Sequence, residues 1–328
     1  MMKRWLSLGM TVFLLLLGAS ARAEQQKESA VGFHLDTVIT FMAYVDDRAV
    51  LEEALQECAR YEALLSRTVE GSDVWRINHA EGEPTQVDPV TAEIIRIAQE
   101  VSAISEGAFD ITIAPASVLW HFTSPGVPSP PSEAELAEAA ERIGWRYLTL
   151  DGCTVTLPAG MMIDLGGIAK GYIADAVTAF LQKRGVESAV LSFGGNVVTI
   201  GRKPDGTLWK IGIQDIDRPT GESMFIVESG GGSIVTSGIY ERGFEYDGVW
   251  YHHILDPATG WPVQNSLASV TILTDSSVRA DALSTAVFAL GEEKGLALVE
   301  SLKDTEAILI RRDRTILYSS GGKAYLAR

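Results

Sequence analysis

The sequence predicts an α+β fold, with mixed or antiparallel sheets and helices packed against them. Two observations lead there. Strand-like and helix-like segments mix without the strict β-α-β order that a doubly wound sheet requires. The second half of the chain is mostly strand-like, and no internal repeat organises the whole.

Residues 33–45 (FHLDTVITFMAYV) are rich in β-branched and aromatic residues and predict a strand. Residues 48–65 predict a helix, because Val50, Leu51, Ala54, Leu55, Cys58, Tyr61 and Leu65 recur at three- and four-residue steps. A second helix starts at Asp88-Pro89, an N-cap followed by a first-turn proline. Its stripe is Val90, Ile94, Ile97, Val101 and Ile104, and Gly107 ends it. Residues 122–132 form a proline- and serine-rich loop. Ser132 and Glu135 then make a capping box for a short helix that stops at Gly144. Residues 147–157 predict a hairpin turning at Asp151-Gly152. Ile163 to Gly167 leads from a strand into a helix over 168–184. Later strands fall at 188–200, 207–214, 223–229, 243–254 (turning at Asp247-Gly248) and 267–274. A helix over 280–300, broken or kinked at Gly291, and a hairpin at 306–318 close the chain.

The 328 residues are 46% hydrophobic and 21% charged, ordinary globular composition with ample chain for a core. Lys3 and Arg4, the mostly apolar run Leu8 to Leu17, and Ala21-Arg22-Ala23 make a secretory signal-peptide pattern over residues 1–23. The apolar run is short for a membrane span, with a retained anchor as the alternative. Residues 24–328 are then one large domain with room for two lobes. An exported, periplasmic or otherwise extracytoplasmic location follows. Without the leader the net charge moves from −16 to −19. So acidic a surface repels nucleic acid and makes a bound divalent cation reasonable. Cys58 and Cys153 are the only cysteines, and their pairing stays open.

Four segments carry chemistry. In Asp164-Leu165-Gly166-Gly167-Ile168-Ala169-Lys170-Gly171 a carboxylate ends a strand, two glycines follow and a helix begins. Glycines permit close backbone approach, and a helix start offers free N–H groups. Lys170 in the first helical turn wants an anionic partner, which points to phosphate. The segment is neither a Walker A loop nor a GxGxxG fingerprint, and an ordinary strand-to-helix turn also fits it. Asp281 and Thr285 stand four apart on one helix face, two oxygen donors that suit Mg²⁺; a dipole-complementing Asp281 is the plainer alternative. His252 and His253 are adjacent on a strand, so at most one of them faces a site, and Asp256-Pro257-Ala258-Thr259-Gly260 is a turn. Gly107-Ala108-Phe109-Asp110 follows a helix stop, and Phe109 fits either a ring stack or the core. Ser237, His253 and Asp256 supply the residue types of a hydrolase triad, but no GxSxG elbow accompanies them.

Taken in order, these blocks resemble the FAD:protein FMN transferase family, the ApbE-type flavin transferases. The resemblance runs from about Ser66 to Gly295 and adds Ser192-Phe193-Gly194-Gly195-Asn196 and Thr236-Ser237-Gly238-Ile239-Tyr240 to the segments above. It implies the architecture of that family, a T-fold-like flavin transferase. It implies transfer of FMN from FAD to a threonine or serine hydroxyl of an acceptor protein, an exported or membrane-associated redox protein, with release of AMP. By matching position, Gly167 (through its carbonyl), Asp281 and Thr285 would hold Mg²⁺. Ala108, Phe109, Asp110, Asp164, Lys170, His253 and Ile254 would contact FAD. His253 and Asp281 would be the catalytic pair. Two positions depart from the pattern: Leu35-Asp36-Thr37 replaces a Met-Gly-Thr block, and Thr68 stands where a tyrosine is common. An FAD pyrophosphatase and a flavin-binding protein without turnover remain the alternatives.

Overall fold

The computed structural model describes residues 25–122 and 128–327; the leader pattern lies outside them, as does part of the 122–132 loop. Among the described residues, no helix is long and apolar enough to cross a membrane.

The first strand prediction resolves into two. Strands β1 (Gln26–His34) and β2 (Thr37–Val45) form a hairpin whose two-residue turn is Leu35-Asp36, both at positive φ. Such turns usually announce themselves by Asn-Gly or Asp-Gly, and Leu-Asp gives no such signal. Helices α1 (Ala49–Leu65), α2 (Asp73–Asn78) and α3 (Pro89–Ile104) follow, with β3 (Thr85–Gln86) between the last two. Helix α2 was missed because six residues show too little periodicity; Ser72 caps it by accepting from Trp75 N. Asp88 caps α3 as expected. Short α4 (Ala114–Ser117) precedes α5 (Glu133–Ala140), whose Ser132/Glu135 capping box is present. Strands β4 (Thr149–Asp151) and β5 (Thr154–Thr156) make the expected hairpin.

Residues 163–165 belong to no strand, and residues 166–168 form a turn into the next helix. Both backbone groups of Ile163 are satisfied by the Asn78 side chain, at 2.7 and 2.9 Å, and Asp164 N donates to Ile111 O. A side chain thus replaces the ladder, which the local pattern cannot reveal. Helix α6 (Ala169–Lys183) follows. The predicted 188–200 strand is a second hairpin, β6 (Ala189–Phe193) and β7 (Asn196–Ile200), turning at Gly194-Gly195. A Cβ on Gly195 would stand 2.7 Å from Thr236 O, so the turn needs glycine.

Strands β8 (Trp209–Gln214), β9 (Ser223–Ser229), β10 (Gly232–Gly238), β11 (Gly243–Tyr246), β12 (Val249–His252) and β13 (Leu267–Thr274) lead to the long helix α7 (Ser277–Ser301) and the closing hairpin β14 (Thr305–Arg311) and β15 (Ile316–Tyr318). Gly291 kinks α7 at φ 77°, as expected. Strand β10 was missed behind Gly230-Gly231-Gly232, yet it is central. The main sheet runs β1-β2-β6-β7-β10-β13-β14-β15, and every pairing is antiparallel.

Helices cover one face of this sheet, joining Phe41, Phe193, Ile173 and Phe288 in the principal core. The β8–β9 hairpin covers part of the other through Trp209, Ile211 and Val227. Strand β13 is therefore buried on both faces from Leu267 to Leu273, with Ser269 and Thr271 among the buried residues. A separate aromatic cluster surrounds Trp120, whose indole N–H donates to Gly260 O at 2.8 Å and pins the 256–260 turn. Cys58 and Cys153 are both free; burial pushes the Cys58 thiol up to about 12.

Candidate functional site

A cavity of about 870 Å³ opens where the helical layer meets one end of the main sheet. Its walls are the loops at strand ends and helix starts: the β1–β2 turn, residues 66–69 after α1, residues 108–113, the turn into α6, the β6–β7 turn, residues 241–242 and the 253–257 segment. Side chains from α7 close its base. All of the sequence-derived candidates line this one space: Ala108, Phe109 and Asp110; Asp164, Gly167 and Lys170; His253 and Ile254; Asp281 and Thr285.

The base is organised by the crossing of α6 and α7. A Cβ on Gly171 would fall 2.2 Å from Ser277 O and 2.8 Å from Asp281 Cβ, so the helices touch backbone to backbone. Asp281, 3% exposed, accepts from Gly171 N at 2.9 Å through Oδ2. In return Asp175 of α6 accepts from Ser277 N and Val278 N at the start of α7, at 2.9 and 3.0 Å. This reciprocal clamp fixes Asp281 against the start of α6. Lys170 Nζ lies 3.6 Å from Asp281 Oδ1 and donates to Gly166 O at 3.1 Å. The first-turn lysine thus meets an anion, and its net worth here is its placement.

Thr285 Oγ1 stands 3.8 Å from the point a Gly167 Cβ would occupy, and it has no hydrogen-bond partner among the described residues. An unpartnered hydroxyl, a carboxylate and a glycine backbone thus converge. No group of three His, Cys, Asp or Glu residues forms a metal cluster among the described residues. The donors present are hard oxygens and few, which fits Mg²⁺, since that ion keeps several waters and takes phosphate oxygens for the rest. Charge argues the same way. Six carboxylates line the cavity (Asp36, Glu62, Asp110, Asp164, Glu241, Asp281) against three fixed cations (Arg67, Lys170, Arg242). An anionic ligand entering this space needs additional positive charge.

Asp110 and Asp164 hold their own loops. Asp110 is buried and accepts from Thr112 N, Thr112 Oγ1 and Trp145 N at 2.7–2.8 Å. Burial nonetheless raises its carboxyl above the usual range, with these bonds opposing. Asp164 accepts from Gly166 N through Oδ1 at 2.8 Å and from Arg67 Nε through Oδ2 at 3.0 Å. Phe109 is 3% exposed, and its ring edge lies 3.2 Å from the Gly167 Cβ position. The core and ligand-wall readings of this residue therefore coexist.

The two histidines divide as their alternation requires. His252 is 1% exposed, bonds Val263 O at 3.1 Å and is pulled down to about 4 by burial. His253 faces the cavity with its Nδ1 3.1 Å from Arg242 O. Burial pulls it down to about 3, so it is neutral at pH 7, with the Nδ1 proton donated to the carbonyl and Nε2 left as an acceptor. Glu241 opens into the cavity, and burial raises its carboxyl against the lowering influence of Lys170 and Arg242. Ser237 Oγ bonds Ser284 Oγ at 2.8 Å, and His253 Nδ1 is engaged elsewhere, so no hydrolase triad forms.

Sequence reasoning missed Arg67, Glu241 and Arg242. Arg67 and the Glu241-Arg242 pair lie on loops with no motif around them, and only the fold turns them inward. The Ser66-Arg67-Thr68 stretch carried just one signal, its departure from the family pattern.

The sequence model of the ApbE family matches residues 35–309. A FAD:protein FMN transferase of Klebsiella pneumoniae is 38% identical over 289 residues, covering 86% of this chain and 88% of the relative. One from Vibrio cholerae is 32% identical, with 95% of each chain covered. Among solved structures, the ApbE protein of Thermotoga maritima matches with a TM-score of 0.86 at 32% identity, over 92% of this chain and 100% of that one. The flavin transferase ApbE of Vibrio cholerae matches with a TM-score of 0.82 at 30% identity, over 92% and 100%.

Proposed function

The chain belongs to the ApbE family, and on that footing we propose that it transfers FMN from FAD to a threonine or serine hydroxyl of an acceptor protein, releasing AMP, with Mg²⁺ required. The observation that carries the reading is the convergence of the six motif segments on one cavity, with Asp281 and Thr285 at its base and Thr285 beside Gly167. The leader pattern supports an extracytoplasmic site of action on exported or membrane-associated redox proteins.

Under this reading FAD lies in the cavity with its diphosphate toward the α6–α7 crossing. Ala108, Phe109, Asp110 and Ile254 shape the wall against the dinucleotide, and Lys170 faces its phosphates. Asp281, Thr285 and the Gly167 carbonyl would hold Mg²⁺. That ion supplies charge neutralisation on phosphate oxygens and on the leaving AMP. The acceptor hydroxyl oxygen bonds to the FMN-side phosphorus as the bond from that phosphorus to the oxygen leaving with AMP breaks. The hydroxyl proton passes to His253 Nε2, which is free to accept because Arg242 O fixes the proton on Nδ1. A diphosphate beside His253 raises its proton affinity from the low value of the empty cavity. Most of the catalysis is then positioning and electrostatics.

The test incubates the protein with FAD, Mg²⁺ and a threonine-bearing exported redox protein, and follows acceptor mass. An added FMN mass that disappears with a chelator supports the reading. FAD bound without any mass gain sinks it, and metal-dependent AMP release with no acceptor present favours the pyrophosphatase instead.

A further inference from the structure

We propose that Arg67 grips a phosphate oxygen of the dinucleotide and that Asp164 is a positioning residue acting through it. The inference rests on the reading of the cavity as an FAD site.

Arg67 follows α1 and lines the cavity, with its side chain 35% exposed. Its loop is held in place: Thr68 N bonds Ser66 Oγ at 3.2 Å, and Ser72 Oγ bonds Ser66 O at 2.5 Å. The Arg67 Nε donates to Asp164 Oδ2, a residue 97 positions away, at 3.0 Å. The terminal amino groups Nη1 and Nη2 have no hydrogen-bond partner among the described residues. Asp164, for its part, has each carboxylate oxygen engaged, one by Arg67 and one by Gly166 N. Its contribution to a ligand is therefore indirect. By holding Nε it fixes the guanidinium plane and leaves the two-nitrogen fork presented to the cavity.

That fork is the geometry which recognises oxyanions, and a pre-oriented one loses less freedom on binding. Its place in the cavity favours phosphate over a ring. A chain of contacts runs from Arg67 to Asp164, through Gly166 N and Gly166 O to Lys170, and on to Asp281. Arg67 thus belongs to the same polar wall as the residues proposed to hold the metal. Of the three cavity cations, Lys170 is engaged by Asp281 and Gly166 O and Arg242 donates an Nη to Asp36 O at 3.4 Å, whereas Arg67 keeps both terminal nitrogens to spare.

The experiment measures binding of two ligand pairs that differ by a phosphate, FMN with riboflavin and AMP with adenosine, alongside FAD. Calorimetry at fixed Mg²⁺ compares wild type, Arg67→Ala, Arg67→Lys, Asp164→Asn and the double variant Arg67→Ala/Asp164→Asn. We expect Arg67→Ala to weaken FAD and one phosphate-bearing ligand by on the order of tenfold or more, with its phosphate-free partner unchanged. Arg67→Lys keeps the charge, loses the fork and falls between. Asp164→Asn weakens the same ligand, and the double variant is no worse than Arg67→Ala. Equal loss for the phosphate-free partner overturns the proposal in favour of ring stacking. Unchanged FAD affinity in Arg67→Ala, or additive losses in the double variant, also overturns it. If Arg67→Ala fails to fold, Arg67→Lys carries the comparison. Wild-type protein that binds FAD but labels no acceptor sinks the transfer reading alone. Wild-type protein that transfers FMN while Arg67→Ala binds normally sinks only this inference.

Discussion

Replacing Gly171 by alanine adds one methyl group at the point where α6 crosses α7. The new Cβ would meet Ser277 O at 2.2 Å, Ser277 C at 2.7 Å and Asp281 Cβ at 2.8 Å. Local adjustment is blocked, because Asp175 holds Ser277 N and Val278 N while Asp281 holds Gly171 N. The helices must separate by roughly 1 Å to restore ordinary contact distances. Overpacking of this kind costs about 1–3 kcal/mol, and straining the carboxylate bond to Gly171 N adds about 1.5–3 kcal/mol. Alanine's better helix propensity returns only about 1 kcal/mol. The net loss is about 1.5–5 kcal/mol, a fall in melting temperature of roughly 2–8 °C for a chain of this size. Function should suffer more than folding. Asp281 moves away from Gly167 by about the displacement that costs a hundredfold in a positioned active site. The assay pairs thermal melting with Mg²⁺ titration and FMN transfer at a temperature where the variant is folded. A variant that melts and turns over like wild type refutes the close helix crossing. One that melts lower but binds Mg²⁺ with wild-type affinity refutes the claim that the crossing places Asp281.

Asp281→Ala is expected to lower FMN transfer on the order of a thousandfold or more, and Asp281→Asn to lose transfer while melting closer to wild type, because the amide oxygen can still accept from Gly171 N; parallel rate and melting measurements check both. Trp120→Ala should cost about 3–5 kcal/mol in denaturant unfolding, since a fully buried indole is lost from the aromatic cluster and Gly260 O loses its donor. His252 is held neutral by burial, its value drawn from 6.5 to about 4, so the unfolded chain binds its proton first as pH falls. Stability from this group is fully present above about pH 6.5 and is lost as pH drops toward 4, whereas the raised Asp110 and Asp175 carboxyls act in the opposite sense. His252→Gln should therefore show a smaller loss of stability between pH 6.5 and 4 than wild type in matched denaturation curves.

Local patterns were enough for α1, α3 and α5, because an apolar stripe, a capped start and a glycine stop are all short-range features. They were enough for the kink at Gly291 and for the β11–β12 turn at Asp247-Gly248. Residue types at Asp164, Lys170, Asp281 and Thr285 already pointed toward phosphate and hard-cation chemistry, whereas Gly167 and His253 were nominated by the family resemblance. Tertiary structure decided the rest. It split one predicted strand at Leu35-Asp36, which carries no turn signal, and another at Gly194-Gly195, and it let Asn78 replace a sheet ladder at Ile163. It brought β10 to the centre of the main sheet. It also set Arg67 against Asp164 and turned Glu241 and Arg242 into the same cavity. The physical reason is range: stripes, caps and glycine turns act over a few residues and are written in sequence. Which charged side chains share a cavity depends instead on how closely two helices can cross, and at Gly171 the absence of one methyl group permits that contact.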